Sequence, residues 1–332
     1  MKFLRYITAT LLALAAVASV SCKKDDDDTE TKEYLNGTVS YVMPSYVYHG
    51  DVLHIVPGGV YKEDESDTLL AVSWYNPLTL VTDTLRLESD PASVSKEFDF
   101  EITSDSLTLF TMLVSMWAEG YYVKTTNASF TIVDPALGTG SLKGYDFLSD
   151  TPSFTDIRDG AAYYYHNVAG KDWMIQNLGW RGAGESYEDS EALDPIFGRY
   201  YSWTEAASAC PDGWHLPSDA DFKALAEVSG AGERASAGSL MVDASFNGSK
   251  MWEFWPAVKI TNATRFSAIP AGYKTGSGTS WSHKGFNSYA MFWTSDTDGG
   301  MAIARYLYVD KTELFSGAYG KDAVKASVRC VR

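Results

Sequence analysis

Residues 210–221 read CPDGWHLPSDAD and gather a cysteine, a histidine and three aspartates. A thiol close to an imidazole, with carboxylates to orient it, is the inventory of nucleophilic catalysis. Each part also has a local structural role. Ser218 and Asp221 fit a capping box, in which the Ser218 hydroxyl accepts from the Asp221 amide and the Asp221 carboxylate reaches back. Asp219 and Asp221 fall in the first helical turn, where the helix dipole favours negative charge. Phe222, Leu225 and Ala226 then follow at i, i+3 and i+4 as one buried stripe. Pro217 stops the incoming chain from being helical. Ser202 and Glu205 repeat the box for a helix running to Ala209. His215 stands between Trp214 and Leu216 with no acid or metal partner at a recognisable spacing, so it is expected to be packed and hydrogen-bonded. The stretch is expected to be scaffold.

The cysteines follow from the start of the chain. Lys2 and Arg5 precede an apolar run, Ile7 to Val20, of signal-peptide length. Ser19-Val20-Ser21-Cys22 resembles a bacterial lipobox, which implies cleavage before Cys22 and its acylation. An ordinary secretory signal with an incidental cysteine is the alternative. Several acyl chains anchor a protein stably. Lys23-Lys24-Asp25-Asp26-Asp27-Asp28 then reads as a solvated tether. An acidic run at this place also resembles the surface-export signal of Bacteroidetes-type lipoproteins. The expected location is the outer membrane, facing outward, with the periplasmic leaflet as the alternative. In such a compartment Cys210 and Cys330 are expected to form a disulfide; two free buried thiols are the alternative.

Cleavage removes Lys2 and Arg5, so the formal charge falls from −16 to −18. No basic patch is visible, and nucleic-acid binding is not expected. The mature length of about 310 residues suggests two domains. Residues 34–134 contain seven β-branched or aromatic runs separated by Gly, Pro, Asp and Ser, the pattern of an immunoglobulin-like β-sandwich. Trp74 and Trp117 are expected in its core. Residues 135–153 read as a linker. Residues 154–332 mix short strands with two short helices. The fold class is therefore mainly β with an α+β C-terminal domain.

A binding surface is the chemistry that remains. Residues 273–289, YKTGSGTSWSHKGFNSY, set Tyr273, Trp281, His283, Phe286 and Tyr289 in a Gly/Ser-rich stretch. Rings beside hydroxyls and amides suit a sugar, which needs apolar stacking and oriented hydrogen bonds. Trp252, in the cluster Met251 to Trp255, is placed nearby; core packing is the competing role for all these rings. The turn TSDTDGG at 294–300 offers Asp296 and Asp298 but lacks the ligand count of a calcium loop. Five scattered histidines support no zinc site, and no cofactor is expected. Asp67-Thr68-Leu69, Asp83-Thr84-Leu85 and Asp105-Ser106-Leu107 resemble a short O-glycosylation sequon.

Seven ordered motifs carry a wider resemblance. They are Asp156 to Gly160, Lys171 to Leu178, Phe197 to Trp203, Cys210 to Ser218, Phe266 to Tyr273, Phe292 to Ser295 and Ser327 to Arg332. In this order they resemble the Fibrobacter succinogenes major paralogous domain family over residues 154–332. The resemblance implies a C-type-lectin-like fold with two short helices, an antiparallel sheet and long loops, on a secreted or surface protein, and implies no reaction. The calcium-dependent sugar tripeptides EPN, QPD and WND are absent from this domain. The formylglycine-generating oxidases share the general fold but need a reactive cysteine pair. The expectation is a non-catalytic surface lipoprotein that binds a glycan or protein through the 273–289 loop. The alternative is a structural component of an envelope complex.

Overall fold

The computed structural model describes residues 32–63, 71–86, 97–230, 232–252 and 258–332. The expected signal peptide, Cys22, the charged run of the tether, Asp67-Thr68-Leu69 and Phe254-Trp255 lie outside them. The described chain is mostly β, with a few short helices and several antiparallel sheets.

The N-terminal part is two layers around one core. A five-stranded sheet runs in the order Tyr46–Val47, Lys124–Ile132, Leu109–Trp117, Ala71–Asn76, Val81–Arg86. Strict alternation along Leu109–Trp117 sends Met112, Val114 and Met116 inward, as a period of two requires. Two smaller ladders, Val52–Ile55 with Phe98–Glu101 and Asn36–Ser40 with Gly58–Tyr61, supply the facing residues Ile55, Phe100, Val39 and Val60. Burying each such side chain is worth about 1.5–3 kcal/mol. The expected core role of Trp74 holds in part: it is half-buried and stacks on Phe98.

Residues 135–153 have the turn residues of a linker, yet they are packed. Leu142–Lys143 pairs antiparallel with Ser245–Phe246. Tyr145 is buried, and Val133, Leu142 and Tyr145 share a core with Phe197, Tyr200 and Ile269. From the N-terminal part, the Tyr48 hydroxyl donates to the Ala192 carbonyl at 2.8 Å and the Tyr46 hydroxyl to Glu188 at 3.2 Å.

Beyond them lie three more three-stranded antiparallel sheets. One is Tyr289–Asp298, Met301–Tyr308 and Phe315–Tyr319 in that order. A second has Tyr273–Ser277 between Ser280–Lys284 and Val324–Lys325. The third joins Ser153–Thr155, Ala162–Val168 and Lys171–Met174. The two expected helices are present as Trp203–Ala209 and Asp219–Glu227, each with its capping box complete. Further short helical turns, among them Asp194–Phe197 and Ala237–Leu240, were not expected.

The C-terminal tail runs through the middle of this part. Ala326 bridges Tyr201, Ser327 bridges Phe292, and Val331 bridges both Trp173 and His215. Cys330 is bonded to Cys210 with their Cα atoms 5.8 Å apart, so the expected disulfide is present. It ties the end of the first helix to the tail.

Candidate functional site

The six expected ligand-binding residues go to three different places. Trp252 is 4% exposed and donates its indole N–H to the Ala268 carbonyl, so it is a core residue. The hairpin of Tyr273–Ser277 and Ser280–Lys284 separates the others by its pairing. Lys274 lies opposite His283 and Gly276 opposite Trp281, which puts these on one face; Tyr273 lies opposite Lys284 on the other.

On the first face Lys274 is buried, while His283 and Trp281 are half-buried. His283 packs against the rings of both Tyr187 and Tyr200. Phe286, just past the hairpin, stacks on Tyr187 and meets Phe197 edge-on. Trp281 donates to the Gly278 carbonyl at 3.0 Å, and the Lys325 ammonium lies 4.9 Å from its ring centroid. Glu185 accepts from Lys274 at 2.5 Å and from Lys325. Burial pushes the Glu185 carboxyl up, but the two ammoniums together hold it below its ordinary value. Burial, aided by Lys274, lowers the His283 pKa against the pull of Asp189, Glu188 and Glu185. This is a charge-paired hairpin face rather than an open loop.

The second face gives an aromatic surface. Tyr273 meets Tyr289 at a 5.2 Å ring-centroid distance. Tyr289 stacks on Tyr306 at 5.3 Å and meets Tyr308 edge-on at 4.7 Å. Tyr306 stacks in turn on Phe315 and meets Tyr319. The register explains the grouping, because Tyr289 pairs with Tyr308 and Tyr306 with Phe315 across adjacent ladders. Exposure is graded: Tyr289 is 6% exposed and Tyr308 is 40% exposed, with Tyr273, Tyr306, Phe315 and Tyr319 intermediate. Gly317 leaves room for these rings, since a Cβ would come within 2.9 Å of the Tyr319 ring and 3.2 Å of the Tyr306 ring and make them shift. Burial, then a hydrogen bond with Tyr319 and the neighbouring phenols, raises the Tyr289 pKa. Burial and Tyr319 raise that of Tyr306. These phenols therefore stay protonated and act as neutral donors and acceptors.

Tyr306, Tyr308, Phe315 and Tyr319 were not among the sequence candidates. The signal was present in MAIARYLY and FSGAY, where alternate positions place Tyr306 with Tyr308, and Phe315 with Tyr319, on one face.

Residues 210–221 are structural in most of their parts. Asp221 completes its capping box and pairs with Lys171. Asp219 accepts from the buried Arg305, and its amide donates to Asp296 at 2.6 Å. Asp296 thus holds a helix start. His215 departs from expectation: its backbone pairs with Val331, but its side chain is exposed, because the strand alternation turns Trp214 and Leu216 inward instead. Among the described residues, no three His, Cys, Asp or Glu side chains gather as metal ligands.

The Fibrobacter succinogenes major domain matches residues 167–332, half of the chain. The match takes in six of the seven motifs and begins after Asp156 to Gly160. No curated protein matches the chain.

Proposed function

The chain belongs to the Fibrobacter succinogenes major domain family, and from that premise we propose a non-catalytic surface lipoprotein that binds carbohydrate. In this reading Cys22 carries the lipid and the acidic run is the tether. Residues 34–134 are an immunoglobulin-like spacer, and a C-type-lectin-like domain faces outward from the outer membrane. The ligand site is the surface of Tyr273, Tyr289, Tyr306, Tyr308, Phe315 and Tyr319.

One observation carries the choice of ligand: the rings are graded from a buried Tyr289 to a half-open Tyr308, and five of the six bear hydroxyls. The exposed Tyr308 ring and the half-buried rings around it offer stacking for the apolar C–H face of a sugar, and the phenols offer hydrogen bonds at its rim. The stretch proposed from sequence contributes Tyr273 and Tyr289 to this site; His283 and Phe286 pack against Tyr187, and Trp281 is half-buried beside Lys325.

A second reading, an envelope-complex component without a small ligand, is favoured by the position of Phe315–Tyr319. It is the edge strand of its sheet, and edge strands accept a partner strand.

The test is a glycan array with the full chain lacking its signal peptide, alongside Tyr308→Ala. Binding lost in the folded variant supports the carbohydrate site. Silence of the folded wild type across the array sinks it and directs the work to crosslinking on intact cells.

A further inference from the structure

Two tyrosines reach from the N-terminal part to the rest of the chain. Val47 points into the N-terminal core, so strand alternation turns Tyr46 and Tyr48 the other way. Both are half-buried against the core that holds Tyr187, Ile196 and Phe197. There the Tyr48 hydroxyl donates to the Ala192 carbonyl and the Tyr46 hydroxyl to the Glu188 carboxylate. Burial, then Glu188, pushes the Tyr46 phenol up to about 12, so it keeps the proton it donates.

Glu188 has an uncommon backbone. Its φ is 49° and its ψ 33°, and Asp189 follows with φ 56°. Two successive left-handed residues, neither a glycine, persist only where their surroundings hold them. On one side the hold comes from the N-terminal part, through Tyr46. On the other it comes from the 273–284 hairpin, where the Lys274 ammonium lies 3.6 Å from the Asp189 carboxylate and also pairs with Glu185.

Tyr187 connects the two sides. Its phenol is hydrogen-bonded to the same Glu188 carboxylate. Its ring, 9% exposed, lies 4.8 Å from that of His283 and 4.7 Å from that of Phe286, centroid to centroid. His283 Nε2 is buried with no hydrogen-bond partner, which leaves that edge of the imidazole to ring packing. A continuous chain of contacts therefore runs from Tyr46 through Glu188 and Tyr187 to His283.

We propose that residues 186–190 are a conformational latch: the Tyr46 hydroxyl holds Glu188 in its left-handed backbone, and Glu188 in turn holds Tyr187 against His283 and Phe286. Without the Tyr46 bond the turn relaxes toward an ordinary backbone, Tyr187 withdraws, and the hairpin opens more often. The N-terminal part is then more than a spacer, since its seating sets how firmly the hairpin is closed. The inference does not depend on what the aromatic surface binds.

The test is peptide-resolved amide hydrogen exchange on the full chain lacking its signal peptide, which reads local opening directly. Tyr46→Phe removes only a hydroxyl. Tyr41→Phe is its control, because the Tyr41 hydroxyl donates to the Met112 carbonyl inside the N-terminal part. Glu188→Gly removes the carboxylate and lets residue 188 take a left-handed backbone freely. Tyr46→Phe should speed exchange about fivefold in both 186–190 and 280–286, the scale of one hydrogen bond's net worth. Tyr41→Phe should leave both segments as in wild type. In the Glu188→Gly background Tyr46→Phe should add nothing. Unchanged exchange in Tyr46→Phe overturns the proposal. So does faster exchange at 186–190 alone, because the turn would then not reach the hairpin. The same increase with and without Glu188→Gly, or an equal one in Tyr41→Phe, overturns it too, since the hydroxyl would then act by another route.

Discussion

Tyr289 and Tyr308 face each other across adjacent strands with ring centroids 4.7 Å apart, edge to face, the inner ring 6% exposed and the outer 40%. Stability and binding therefore separate between them. Tyr308→Ala is expected to change folding stability by less than about 1 kcal/mol, since its ring is half solvated. It should weaken carbohydrate binding at least about tenfold, or about 1.4 kcal/mol. Tyr289→Ala should instead cost about 3–5 kcal/mol of stability, as an aromatic removed from a core does. Urea melts and a sugar titration on both variants check this; equal stability losses would mean that Tyr308 is only a core residue.

Arg329 is a second such case. It is fully buried against Phe266 and Phe292, with its guanidinium carbon 4.7 and 5.5 Å from their ring centroids. It donates to Asn177 at 2.8 Å, to the Met174 and Ser267 carbonyls at 3.2 and 3.0 Å, and to the Phe266 carbonyl. Burial pushes its pKa down to about 10, so it remains charged at neutral pH. Only a planar fork reaches these acceptors together. Arg329→Lys is expected to cost at least about 3 kcal/mol, because acceptors are left unpaired in the core. Arg329→Met, which keeps apolar bulk, should be no better. A chemical denaturation midpoint for Arg329→Lys within error of wild type would refute this.

Local signals explain what the sequence revealed. Both capping boxes and the stripe at Phe222, Leu225 and Ala226 depend on neighbours within a turn, and they were legible. The disulfide was expected as the pair left once Cys22 is read as a lipid site in an oxidising compartment, and the Cys210–Cys330 bond is present. Long-range packing was not. The Gly, Pro and Ser of 135–153 signal turns, but nothing local says that Leu142 will pair with Phe246 or that Tyr145 will be buried. The loop at 273–289 held the right residue types, yet its hairpin register decides which rings face out. That register sent Trp281 and His283 one way and Tyr273 the other. Glu188 carried no signal, because its partner Tyr46 meets it only through the packing of the two parts.

The Cys210–Cys330 bond closes a span of 120 residues. In the chain-entropy account such a loop is worth roughly 4–5 kcal/mol. For a domain of this size, reduction or Cys330→Ala should lower the melting temperature by roughly 10–15 °C. The N-terminal core, held by Met112, Val114, Phe130 and their neighbours, contains no part of the bond. Calorimetry in the presence and absence of a reductant should therefore move the transition of the C-terminal part and leave the N-terminal contribution in place. A shift of both together would show that the two parts unfold as one unit.

The last expectation concerns His283. Burial and the nearby Lys274 set its folded pKa below the ordinary 6.5. Between the folded value and 6.5 the unfolded chain binds more protons than the folded one, so stability rises with pH in that window. The contribution is fully present above 6.5 and is lost as pH falls through the folded value. His166 is shifted the same way by burial and Arg265, while the exposed His54 is shifted upward by Asp99 and Glu97. The wild-type profile therefore sums several histidines, and only a difference isolates one. The carboxylates held low, Asp156, Glu185, Asp219 and Asp221, act at more acid pH because their folded values lie below their ordinary 4.5 and 3.8. Replacing His283 by Gln removes its titration and keeps a polar side chain. The stability difference between wild type and His283→Gln should grow in favour of wild type from pH 5 to pH 7, by no more than about 1.4 kcal/mol per pH unit. Urea midpoints across that range read it directly. A difference independent of pH would mean that His283 has the same proton affinity folded and unfolded, and that its place against Tyr187 and Tyr200 is a matter of shape alone.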